Sequence, residues 1–316
     1  MPRAEATVRR IFNSLFVLRL VVAVIALTVP GCKGAAPRTE QTIDQTRLTR
    51  IIANGEIRAS YLVYSPYFRK DPNTGELSGI FHDLMEEVGK KAGLKIRWVE
   101  EVGYEGIFPG LDNDRYDVFA GGLWPNSTRA RAASFTIPVF YSVIKAWGRS
   151  NETRFAGLSG VDARSVRIAT IDGAMEDIIA QADFPQAQRV SLPQLSPFTQ
   201  NFLNITSGRA DLTFAEPGIT REFLQTNPGA LKELAPDKPL RIFGNSLVVK
   251  RGDAQLKEFL DIALSELLYS GVVDRILRKY EPAPGTFPRV ALPYRPETAV
   301  LSDRTAKITP PATRRP

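Results

Sequence analysis

The chain has 316 residues, 43% of them hydrophobic and 24% charged, values ordinary for a soluble globular protein. This length suits two lobes of ordinary size, or one large domain with tails. The formal net charge of +7 sits at the ends: residues 1–31 and residues 301–316 carry +3 each, leaving +1 on the body between them, so the charge gives no sign of nucleic-acid binding.

The first 32 residues have a basic start, an apolar run from Leu20 to Val29, and a small residue before Cys32. That is the layout of an export signal over 1–31, with an apolar run too short for a membrane span of about 20 residues. Cys32 is the single cysteine, so no internal disulfide is possible. The ending "VPGC" resembles a bacterial lipoprotein processing site, which makes Cys32 the lipid-bearing first residue of the mature chain. A lone cysteine beside a plain cleaved signal, or an uncleaved anchor, are the other readings. Residues 32–47 are small and polar and read as a tether, with order beginning near Leu48.

From there strands and helices alternate. "GEIRASYLV" (55–63) has strand character, and 79–93 places Phe81, Leu84, Met85, Val88 and Ala92 on one helical stripe ended by Gly93. "LKIRWVEEV" (94–102) alternates as a strand, 106–115 is a short helix, and 116–123 is a strand. A helix start is expected at Asn126-Ser127-Thr128, and 138–149 is extended. A second series begins at Ser165: "SVRIATI" then "DGAMEDIIAQA", "QRVSL" then "SPFTQNFLNITSGRA" with Phe198, Phe202 and Ile205 on one face, and "DLTFAE" then "PGITREFLQTN". After an extended stretch at 240–250, Leu256, Phe259, Leu260, Ala263, Leu264 and Leu267 fall at helical spacing. Alternation of this kind predicts α/β architecture with parallel-type sheets in two lobes. Residues 281–316 are rich in Pro and Arg and read as a partly disordered tail.

No phosphate-cradling glycine loop, nucleophile elbow or H-E-x-x-H motif occurs, and His82 is the only histidine. The reading therefore includes no metal, no cofactor and no catalytic residue. The position of Arg129 is unusual, because a helix start favours negative charge and a cation there is unfavourable unless an anion joins it. On the residues alone, Arg129 is a solvated side chain, one paired with a local acid, or an anion's partner.

Four stretches, in order and spacing, resemble the bacterial extracellular solute-binding proteins of polar amino-acid ABC importers, over about Leu48 to Tyr280. They are "YSPYFRKDPNTGELSGIFHDL", "YEGIFPGLDNDRYDVFAGG", "PNSTRARAASFTIPVFYS" and "SGRADLTFAEPGI". The resemblance implies a two-lobed periplasmic-binding-protein fold, with lobe 1 from 48–144 plus 244–280, lobe 2 from 150–237, and hinge crossings near 144–149 and 237–243. It implies that Arg129 grips a ligand's α-carboxylate, that Glu216 accepts its α-amino group, and that Tyr64 and Tyr104 flank its side chain. Gly122 would offer backbone groups to the carboxylate.

Two departures bear on the ligand. Trp124 stands where the family has a small hydroxyl residue, and "DGAMED" replaces a Gly-Thr-x turn, with Ala174 unable to hydrogen-bond through its side chain. The expected protein is a monomer in the periplasm or at the cell surface, held by lipid at Cys32, that passes a small amino-acid-like ligand to an ABC permease by hinge closure. The alternative is a cyclohexadienyl or prephenate dehydratase on the same scaffold, with Glu216 or Glu176 recruited as general acid.

Overall fold

The computed structural model describes residues 46–155 and 157–290. The signal segment over 1–31, Cys32 and residues 291–316 of the tail lie outside the described residues.

In chain order, α1 (Arg47–Asn54), β1 (Glu56–Tyr61), the short hairpin of β2 (Arg69–Lys70) and β3 (Leu77–Ser78), α2 (Ile80–Ala92) and β4 (Lys95–Glu101) come first. They are followed by α3 (Ile107–Asp112), β5 (Val118–Leu123), β6 (Ala133–Phe135) and β7 (Phe140–Arg149). Next come β8 (Arg167–Ile171), α4 (Met175–Asp183), β9 (Gln188–Leu192), α5 (Thr199–Thr206), β10 (Leu212–Ala215), α6 (Pro217–Thr226) and β11 (Leu231–Glu233). The described chain finishes with β12 (Arg241–Lys250), α7 (Ala254–Tyr269) and α8 (Val272–Tyr280).

Two parallel three-stranded sets form the two lobes. In lobe 1, β4, β1 and β5 run parallel, and β12 joins β5 antiparallel with β6 on its other side. In lobe 2, β9, β8 and β10 run parallel, and β7 joins β10 antiparallel and also pairs with β11. The lobes are linked where β7 and β12 pair with each other, Phe140–Ile144 against Arg241–Asn245. Lys145–Gly148 already pair with β10, so the first crossing lies earlier than the expected stretch at 144–149. One unbroken strand serves both sheets, and its sequence shows no boundary between the two roles.

The same ion-pair device sits at the start of a parallel strand in each lobe. Asp117, before β5, accepts the Arg58 main-chain N–H at 2.9 Å and is bonded by the guanidinium groups of Arg58 and Arg50. Asp211, before β10, accepts the Arg167 N–H at 2.8 Å and is bonded by Arg154 and Arg167. Both carboxylates are buried. Each fixes two neighbouring strands in register at the end opposite the loops that matter below.

Apolar periodicity places the helices. In α2 the buried stripe is Ile80, Phe81, Leu84, Met85 and Val88, and Gly93 ends the helix in the left-handed conformation at φ 67°. Ala92, expected on that stripe, is exposed, and Ile80 takes a place in it instead. In α7 the buried side is Leu256, Leu260, Ala263, Leu264, Leu267 and Leu268, with Phe259 only partly covered.

Helix α1 begins at Arg47, next to the expected start of order near Leu48, with Thr46 capping the Thr49 N–H. Residues 281–290, the first part of the expected partly disordered tail, are packed: Phe287 is 1% exposed in the lobe 1 core, and Pro288 accepts the Tyr141 N–H at 2.9 Å. One further expectation is corrected. The helix expected at Asn126 is a single 3-10 turn, Arg129–Arg131.

Candidate functional site

Loops at the carboxyl ends of the parallel strands of both sheets converge on one cleft. Tyr64 follows β1, Tyr104 follows β4, and Trp124 and Arg129 follow β5; facing them, Gly173 follows β8, Gln194 follows β9 and Glu216 follows β10. Open α/β sheets place their ligands at this end.

Arg129 is 8% exposed, and among the described residues no carboxylate lies within ion-pair distance of it. Its guanidinium donates to two main-chain carbonyls, Trp124 at 3.1 Å in its own lobe and Gly173 at 3.5 Å in the other. It also lies 4.4 Å over the Trp124 ring, whose opposite neighbour is Phe243, stacked at 4.1 Å. Burial of the cation lowers its pKa to about 10. The 3-10 turn gives little dipole, and the Arg129 N–H is already bonded to Asn126 Oδ1 at 2.8 Å.

Glu216 is the N-cap residue of α6, with Pro217 at the first helical position, yet its side chain makes no capping bond. Its Oε2 instead accepts a hydrogen bond from the Tyr64 hydroxyl across the cleft at 2.5 Å. Burial raises the Glu216 pKa, and hydrogen bonding from Tyr64, Tyr67 and Ser142 opposes that rise. Behind it, Tyr67 and Ser142 share a hydrogen bond at 2.6 Å and Asn245 donates to Ser142 at 2.7 Å. Burial, with the Glu216 charge, drives Tyr64 and Tyr67 well above the usual phenol range.

A second acid, Glu176, is 2% exposed in the first turn of α4. Its Oε1 accepts the Ile171 N–H at 3.0 Å and Asn201 Nδ2 at 3.2 Å. Burial raises its pKa to about 8, and the nearby Glu216 charge adds to the rise.

A cavity of about 140 Å³ opens between the lobes beside these groups. Leu62, Tyr64, Glu101 and Tyr104 line it from lobe 1, and Ile171, Gln194, Ser196 and Phe198 are among those that line it from lobe 2. Tyr64 meets Phe198 edge to face at 5.3 Å. Gln194 Oε1 accepts the Glu105 N–H at 2.9 Å and closes one side.

The structure thus brings Arg129, Trp124, Tyr104, Tyr64 and Glu216 around one cleft. Gly122 has a reason of its own: at φ 75° a Cβ there would stand 2.1 Å from the Phe81 ring, so its missing side chain answers to the core beneath rather than to the cleft. Sequence reasoning passed over Gln194, which no motif marks; it placed Gly173 only in the altered Gly-Thr-x turn and Phe198 only on a helical face, and gave neither a part in the cleft. Tyr67 was within reach, since it closes the aromatic-x-Pro-aromatic stretch at 64–67. Among the described residues no group of three His, Cys, Asp or Glu side chains is arranged to hold a metal.

A sequence profile of the bacterial extracellular solute-binding proteins, family 3, matches residues 57–283. The chain belongs to that family. This solute-binding protein is similar to an ABC transporter arginine-binding protein of Escherichia coli, 24% identical over 220 residues that cover 69% of this chain and 87% of the relative. It is also similar, more distantly, to a cyclohexadienyl dehydratase of Pseudomonas aeruginosa, 24% identical over 250 residues covering 77% and 89%. Its fold matches the crystal structure of an ancestral amino-acid-binding protein described as a precursor of cyclohexadienyl dehydratase, with a TM-score of 0.66 at 19% identity, over 75% of this chain and 99% of that one. The solute-binding protein therefore has the two-lobed periplasmic-binding-protein fold, with its cleft between the lobes.

Proposed function

We propose that this protein captures an amino acid or a similar small polar carboxylate by hinge closure outside the cytoplasm and delivers it to an ABC importer. The observation that carries the reading is the buried Arg129 cation with no carboxylate partner among the described residues, opposite the buried Glu216 carboxylate on the other lobe. A guanidinium takes a carboxylate through two parallel charge-assisted bonds. An anionic ligand group supplies the charge that burial at Arg129 lacks, and an ammonium group does the same for Glu216. Each pole of a zwitterion then belongs to one lobe, and closure gains contacts that the open form does not have.

Tyr64 and Tyr104 flank the ligand side chain in this reading, and the cavity beside them mixes apolar side chains with Glu101, Gln194 and Ser196, which suits a stem carrying a polar group. Trp124 supports Arg129 as a cation–π partner, and the Gly122 main chain stands beside the carboxylate. Lipid at Cys32 anchors the protein on the outer side of a membrane. A thermal-shift screen of the mature protein against amino acids, amines and carboxylates tests the reading, because a ligand that binds the folded state raises the melting temperature by mass action. Stabilisation by amino acids, lost in Arg129→Ala, is the expected result; a screen in which no carboxylate stabilises the protein overturns it.

The dehydratase reading has a specific observation behind it: Glu176 is held at about pKa 8, in the range of a general acid at neutral pH. Conversion of prephenate to phenylpyruvate, lost in Glu176→Gln, would replace the transport reading.

A further inference from the structure

Two segments carry the Tyr64–Glu216 contact, and both are joined a second time a few residues along. Glu222 lies on α6, the helix that Glu216 begins. Its Oε2 accepts from Ser65 Oγ at 2.6 Å, and its Oε1 is paired with the Arg69 guanidinium. Arg69 Nε in turn donates to Ser65 Oγ at 2.8 Å, so arginine, serine and glutamate form a closed triangle between the lobes. The neighbouring residue Arg221 donates to Thr286 Oγ1 at 2.7 Å, and Phe287 beside it packs against Gly218 at the start of the same helix. Phe287 belongs to the lobe 1 core. Helix α6 is therefore held to lobe 1 along its length by groups that line no part of the cavity.

We infer that Arg69, Ser65 and Glu222 form an interlobe clasp that sets the resting balance between open and closed forms in the absence of ligand. The inference rests on the hinge-closure reading and adds to it a device outside the ligand site. The Arg69 and Glu222 side chains keep 40% and 28% of their exposure, so water and salt reach the clasp. A pair of that kind biases an equilibrium by about 2- to 5-fold and is screened at high ionic strength. The cleft closes and reopens readily only if the bias is of this size; a much stronger one would trap ligand or exclude it.

The test measures the distance between the lobes without ligand. Spin labels are placed at Lys90→Cys in lobe 1 and Arg209→Cys in lobe 2 of the full chain, in a Cys32→Ser background, and read by pulsed dipolar spectroscopy. Glu222→Gln and Arg69→Met are each expected to raise the ratio of long to short distances about 2- to 5-fold. The double variant should add little to either, and 1 M salt should remove the difference from wild type. The swap of Arg69→Glu with Glu222→Arg should restore the short distance, a result that a folding defect cannot imitate. Distances unchanged in both single variants, or a swap that behaves like the singles, overturn the clasp. Failure of L-arginine, L-histidine and L-cystine to shorten the distance in wild type counts against the capture of those amino acids, while the ligand-free distances still decide the clasp.

Discussion

The Tyr64 hydroxyl and the Glu216 carboxylate meet across the cleft at 2.5 Å, one from each lobe. This bond is the chief influence opposing the rise that burial imposes on the Glu216 pKa. Tyr64→Phe removes it, so the carboxyl pKa rises further and the carboxylate loses a hydrogen bond that favours its charged form. An ammonium ligand needs the carboxylate. Its affinity is expected to fall about 10-fold or more at pH 7, since a hydrogen bond to a charged group contributes about 1.5–3 kcal/mol. Calorimetry at pH 7 reads this directly. Glu216→Gln should weaken amine-bearing ligands far more than amine-free ones at every pH; equal weakening of both classes would make Glu216 a structural residue.

Arg129→Ala tests the other pole. Loss of a desolvated charge partner costs about 2–5 kcal/mol in binding, so affinity for a carboxylate ligand should fall at least 30-fold. The ligand-free protein should keep its melting temperature or gain slightly, because the variant removes a buried cation with no carboxylate beside it among the described residues. A large loss of stability with unchanged affinity would assign Arg129 to the fold.

The order of strands and helices could be read from apolar periodicity and turn residues, because each element buries one continuous face. Phe202 and Ile205 did fall together on the buried side of α5, with Phe198 buried at its N-cap. Arg129 and Glu216 could be singled out too, as both break a local rule, a cation at an apparent helix start and a glutamate in a capping position, while their proposed roles as two poles come from the family resemblance. The first rule was misapplied, since a 3-10 turn replaces the helix, but the oddity it exposed is real. What remained hidden depends on how the lobes meet. Gly173 offers only a carbonyl, Gln194 only an amide side chain, and Glu222 looks like any polar residue on an amphipathic helix until lobe 1 is set against it. The packing of Phe287 was obscured by the Pro- and Arg-rich composition around it, which averages away one buried ring.

Glu176 gives a pH dependence of stability. Burial raises its carboxyl to about 8 in the folded state, against about 4.3 in an unfolded chain. The folded state therefore binds more protons between these values, and stability falls as pH rises from about 4 to about 8, then levels. Gln at this position keeps an oxygen for the Ile171 N–H and Asn201. Glu176→Gln should flatten the slope and stabilise the protein at pH 8 by about 1–3 kcal/mol, with little change at pH 5. Melting curves at pH 5, 6, 7 and 8 on both proteins check the sign; parallel curves would show that Glu176 is ionised throughout.

Asp211 makes the opposite prediction. Burial alone would raise its carboxyl, but hydrogen bonds from Arg154 and from the main chain and side chain of Arg167 prevail and hold it at about 2. Its contribution is fully present above the unfolded value of about 3.9 and is lost as pH falls through about 2. Asp211→Asn removes the charge that three arginines, Arg149, Arg154 and Arg167, share. The aspartate is buried but the arginines are partly in water, so the cost is about 2–3 kcal/mol rather than the larger figure for a fully buried pair. In a body of this size that is a drop of roughly 5–10 °C in melting temperature. The drop should be constant from pH 5 to 8 and shrink below pH 4, as protonation of the wild-type side chain brings the two proteins together. Asp117→Asn should behave in the same way in lobe 1, where Arg50 and Arg58 hold the equivalent position between β1 and β5. A variant gap that persists undiminished at pH 2 would mean that packing at these strand ends, and not the charge, holds each sheet in register.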